Sequence, residues 1–184
     1  MMNVSGKSAQ SKRMDLAFAS LLSKDDEEVL AAITRIGKEG DARAIRPLLM
    51  ALTNNPSPSV HQRISALLFE VKAPQADTVL LAALEDPEFA AIRNIVLSTF
   101  WNAGIDVREH LNVFVDIALT GTATESFECL TVIENQEIWP EKDARAAMKR
   151  VEKAVLGEPD AYKASILNDL VSVLKYRLGA EESA

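Results

Sequence analysis

Leu22, Leu52, Leu84, Leu119 and Leu156 each close an apolar helical segment and are followed within four residues by a polar break. The steps between them are 30, 32, 35 and 37 residues. Stacked helix hairpins produce self-similarity on this scale, because one hairpin cannot bury its own apolar face and must be covered by the next. The spacing therefore predicts an all-α chain of about five antiparallel hairpins.

Intervals of three and four between apolar residues recur throughout, and no stretch alternates apolar with polar residues over more than a few positions, so strands are not expected. Aromatic residues make up 5% of the chain and hydrophobic residues 48%, which assigns the core to Leu, Ile, Val and Ala. Residues 13–178 are expected to form a single domain, with the polar segments 1–12 and 179–184 as flexible tails. The apolar runs are far shorter than a membrane span, the segment Met1 to Gln10 lacks the apolar core of a signal peptide, and Cys129 is the only cysteine. A cytoplasmic location is the resulting expectation.

Three local patterns carry specific expectations. In the third helix, Ile45, Leu48, Leu49 and Leu52 form an apolar stripe behind the N-cap Asp41, and Pro47 inside it should kink or locally open the first turns. The sixth helix, running from Phe89 to Gly104, has apolar positions over roughly 240° of its wheel, as a central element would. Arg93 falls inside that arc, where an unpaired guanidinium is costly, so it should reach a carboxylate or carbonyls. In the tenth helix Ile166, Leu167, Leu170, Val171, Val173, Leu174 and Leu178 cover about 160°, a stripe wide enough to leave room for a partner or a second copy. Phe89, Phe100, Phe114 and Phe127 should make the centre of the stack its most stable part.

Residue types for catalysis are sparse. His61, His110 and Cys129 together are too few for a zinc site, and no cofactor is implied. Cys129 lies on the apolar side of its helix beside Leu130 and Ile133, the setting of an inert core thiol rather than a nucleophile. The seven glycines are isolated helix punctuation, so no phosphate-binding loop exists. Charge is uneven: residues 77–141 hold twelve Asp/Glu against Arg93 and Arg108, a net −10 within a chain of −7. Such a surface repels nucleic acid and steers basic partners.

The segment Gly40-Asp41-Ala42-Arg43-Ala44-Ile45-Arg46-Pro47-Leu48-Leu49-Met50-Ala51-Leu52, with Ser57-Pro58-Ser59-Val60 to Leu67 behind it, resembles a bacterial HEAT repeat, proline included. The likeness is tight over residues 37–70 and is one of pattern beyond them. It implies a right-handed α-solenoid of the HEAT or ARM type, with the second helix of each hairpin lining a concave side that holds other proteins. Pro47 and Arg93 then take structural roles, Arg93 bridging neighbouring units. The concave face would present His61, Gln62 and Ser65 from the fourth helix, Asn94, Ser98 and Trp101 from the sixth, and Thr124, Glu125, Glu128, Thr131 and Asn135 from the eighth. The expected function is a non-catalytic scaffold or adaptor that holds a basic or amphipathic protein segment on this face, with neither membrane nor nucleic acid as partner. Two alternatives remain open: a homo-oligomer assembled through the tenth helix, and an accessory factor or lyase-like enzyme of the HEAT-like type. HEAT-like di-iron and DNA-glycosylase readings fail, the first for want of repeated His-Glu pairs and the second for want of cations.

Overall fold

A computed structural model describes residues 9–181, and in this range the chain is all-helical, without strands. The ten helices are α1 (Ala9–Ser20), α2 (Asp26–Glu39), α3 (Ile45–Asn54), α4 (Pro58–Phe69), α5 (Ala76–Glu85), α6 (Arg93–Asn102), α7 (Leu111–Thr120), α8 (Ala123–Glu134), α9 (Glu141–Val155) and α10 (Ala161–Glu181). Three short 3-10 turns, Ala42–Ala44, Pro87–Ile92 and Arg108–His110, lead into α3, α6 and α7. Among the described residues no helix is long and apolar enough to cross a membrane. Helix α1 already begins at Ala9 and α10 runs on to Glu181, so both enter segments expected to be tails. The rest of those segments, residues 1–8 and 182–184, lies outside the described range. The described chain falls into two compact units, one ending at Ile92 and one beginning at Arg93.

Helix boundaries follow local chemistry. Asp25 caps α2 by accepting from the Glu27 N–H, and three acidic residues in the first turn face the positive end of the helix dipole. Pro47 is the third residue of α3 and lacks the N–H that would bond to the Arg43 carbonyl. The chain meets this by winding residues 42–44 as a tighter 3-10 turn, with Ala44 N–H on Asp41 O at 2.9 Å, before the α-helix starts. The opening expected at Pro47 is therefore a change of helix type upstream of it. The single sixth helix expected from Phe89 is likewise divided, a 3-10 stretch over Pro87–Ile92 preceding α6. Gly104 ends α6 in the left-handed conformation, φ +64°, which glycine adopts without steric cost and which lets Ile105 N–H reach back to Phe100 O at 2.9 Å.

In the first unit α2 packs on α1 and α4, and α3 packs on α4, α5 and the Pro87–Ile92 turn. Ile33, Ile45, Leu49, Leu52, Val60, Ile64, Leu68, Leu80 and Phe89 form its buried interior. Arg46 ties α3 to the turn after α5: it donates to Asp86 at 2.9 Å and Glu88 at 2.7 Å, and its guanidinium lies 5.0 Å from the centre of the Phe89 ring.

The second unit is organised around α8, which contacts α6, α7 and α10, while α9 contacts α7 and α10. Phe100 and Phe114 meet edge to face, with ring centres 5.2 Å apart. Trp139 is buried just before α9 with its indole N–H on Ile133 O at 3.3 Å, which fixes how the chain enters that helix. Two expectations fail here. Phe127 is 49% exposed, because Ser126 takes the position facing α7 and donates to Ala118 O at 2.7 Å, which turns the next side chain outward. The apolar stripe of α10 is not open: Ile166, Leu167, Leu170, Val171, Leu174 and Leu178 are all buried, and α8 and α9 pack against the helix. Of the expected stripe Val173 alone stays half-buried.

Candidate functional site

The residues expected on the concave face lie on or just after α4, α6 and α8. In the first unit, Gln62 is exposed, and His61 and Ser65 are half-buried. His61 is engaged locally, its Nε2 lying against the Asn55 carbonyl of the preceding turn. That contact gives it a role in closing the α3–α4 connection and takes it out of the free surface.

In the second unit the expected residues lie along the seam between α6 and α8. Two polar rungs cross it. At one end Arg93 Nη1 donates to Glu125 Oε1 at 3.2 Å. Further along both helices Trp101 Nε1 donates to Glu128 Oε2 at 2.8 Å. The rungs advance together, from 93 to 101 on α6 and from 125 to 128 on α8, so the two helices run in the same direction.

Glu125 is not the exposed residue expected. It is 7% exposed and completes a capping box at the start of α8: Thr122 accepts from the Glu125 N–H at 3.2 Å, and Glu125 Oε2 accepts from the Thr122 N–H at 2.7 Å. One carboxylate thus satisfies the helix N-terminus and neutralises Arg93. The Thr122-Ala123-Thr124-Glu125 spacing carries this signature in the sequence, and it outweighs a wheel position that is polar by residue type alone.

The surface left on this seam is narrower than expected. Thr124 and Asn135 are exposed, and Glu128 and Thr131 are half-buried on α8; Asn94 is exposed and Ser98 half-buried on α6. Ser98 donates to the Asn94 carbonyl, Asn135 to the Thr131 carbonyl and Thr131 to the Phe127 carbonyl, so these polar groups are bonded along their own helices. Trp101 is half-buried, its ring held by the bond to Glu128. Phe127, absent from the expected face, adds an exposed aromatic ring to α8. No Lys or Arg occurs in α8, and Arg93 is the only one in α6.

Cys129 is fully buried behind this surface, and burial first, then the neighbouring Glu125 and Glu128 charges, pushes its thiol well above the usual range. A thiol held protonated is a poor nucleophile.

Two residues that carry much of this unit's geometry escaped sequence reasoning. Lys163 is buried, and its ammonium donates to the carbonyls of Leu119 at 2.9 Å and Gly121 at 2.8 Å, with Glu158 at 3.4 Å. It places a cation on the negative end of α7. Gln136 is buried too, accepting from Val107 N–H and donating to Ile105 O, both at 3.2 Å, and so ties the end of α8 to the loop after α6. Neither has a one-dimensional signature, since both partners lie about thirty or more residues away.

No protein-family model matches the chain, and no curated protein matches it in sequence.

Proposed function

We propose that the chain is a HEAT-like helical-repeat protein acting as a non-catalytic adaptor. In this reading it holds a basic or amphipathic protein segment on the α6–α8 surface of its second unit. The observation that carries the reading is the chemistry of that surface. Helix α8 shows Phe127 and Glu128 to the outside with no cation of its own, while the adjoining Trp101 is held at the surface. Exposed aromatics beside an acidic group suit a partner that is apolar on one side and cationic on another. The HEAT-like part of the reading rests on the residue pattern of 40–67, on the parallel run of α6 and α8, and on helix pairing in which alternate helices are also neighbours.

The test is capture from native cell extract with the wild-type chain and with Glu128→Lys, followed by mass spectrometry. A protein retained by the wild type and lost by the variant, with helicity unchanged by circular dichroism, is the expected outcome. Equal capture by both overturns the assignment of this surface. Glu125 is left untouched in this design, because its carboxylate caps α8 and its reversal would unfold the surface being tested.

A further inference from the structure

Glu125 and Glu128 stand one turn apart on α8, and their charges are met differently. Glu125 has Arg93. Glu128 is half-buried, and its Oε2 accepts from a neutral indole N–H; among the described residues no Lys, Arg or His forms an ion pair with it. A partly desolvated carboxylate with one hydrogen-bonded oxygen and no counter-charge is an incomplete site. No hydrogen bond reaches its second oxygen, Oε1, from the described residues, and the preceding residue, Phe127, exposes its ring.

We propose that Trp101 and Glu128 form a receptor for a single arginine side chain of the partner segment, an inference that rests on the proposed function above. A guanidinium donates to Oε1 and lays its planar, weakly hydrated surface against the indole, whereas a lysine ammonium supplies the charge without the stacking plane. The Trp101 N–H holds the carboxylate in place before the partner arrives, which lowers the ordering cost of docking. Arg93, the one cation of α6, is already committed to Glu125.

The experiment uses the full chain and two capped synthetic peptides with the same amphipathic leucine pattern, one carrying a central arginine and the other lysine at that position. Binding is measured by calorimetry and by tryptophan emission. Trp139 is buried, so a change in emission on peptide addition reports Trp101. The wild type should bind the arginine peptide about tenfold more tightly than the lysine peptide. Glu128→Gln retains the acceptor for the indole N–H and should keep the fold, yet weaken the arginine peptide about tenfold. Trp101→Leu, which has no ring face, should remove the preference for arginine over lysine. If both variants bind the arginine peptide as the wild type does, the receptor is wrong while the adaptor surface stands. If the wild type binds neither peptide at millimolar concentration, both the receptor and the proposed surface fail.

Discussion

Gly121 occupies a position where the backbone leaves no room for a methyl group. A Cβ there would lie 2.6 Å from Glu125 Oε2 and 2.7 Å from the Ile117 carbonyl, so the capping box and the end of α7 would both have to shift. The conformation itself, φ −82°, suits any residue; space, and not backbone freedom, demands glycine. Gly121→Ala should therefore cost about 1 to 3 kcal/mol through overpacking, lowering Tm by several degrees in thermal unfolding followed by circular dichroism. Gly157→Ala is the matched control, since its Cβ would meet only Ala154 O at 4.0 Å, and it should be neutral or slightly stabilising. Lys163 holds the same α7–α8 turn through the Leu119 and Gly121 carbonyls. A two-residue connection is thus fixed by a glycine, a capping glutamate and a buried cation.

Helix joints in this chain are repeatedly closed by short-range acids. Asp41 and Asp106 each pair with the arginine two residues on, Arg43 and Arg108, and those guanidinium contacts hold both carboxyls below the usual range. The Asp86 carboxyl is lowered by the Glu88 N–H and then by Arg46, and that of Glu28 by the hydroxyls of Ser23 and Ser20 across the α1–α2 turn. A carboxyl depressed in the folded chain contributes stability above its unfolded value, about 4, and loses that contribution as pH falls through the folded value. Tm should hence be nearly flat from pH 7 to about 5 and fall as the pH drops below about 4, with the loss confined to the acid side. The Asp41–Arg43 and Asp106–Arg108 pairs are exposed, so salt should blunt their share of the effect. At this scale the residue pattern was informative where chemistry is local. The stripe of α3 behind Asp41 and the stop at Gly104 can both be read within one or two turns of chain. It was uninformative where burial depends on neighbours. Leu22 and Leu156, which mark the period as clearly as Leu52, are 60% and 89% exposed, because each falls past the last turn of its helix with nothing packed over it. Phe127 and Glu125 exchanged their expected places for the same reason, the first displaced by the close approach of Ser126 to α7 and the second drawn in by Thr122 and Arg93.

At the scale of the whole chain, each of the two units carries an apolar interior of its own. The interior of the second holds the rings of Phe100, Phe114 and Trp139, and also the polar ties made by Arg93, Gln136 and Lys163. A unit with that many non-local bonds across α6, α7, α8 and α10 should open as one cooperative block. Phe100→Ala tests this directly, because Phe100 is fully buried and stacks edge to face on Phe114. The truncation should cost about 3 to 5 kcal/mol. Hydrogen exchange followed by mass spectrometry should then show amides from Arg93 onward losing protection together, in α7, α8 and α10 as well as α6, while the amides of α2, α3 and α4 keep most of theirs. Acceleration confined to α6 would show that α8 does not bind the unit together. Equal acceleration in α2 to α4 would show that the chain opens as a single block despite its two interiors.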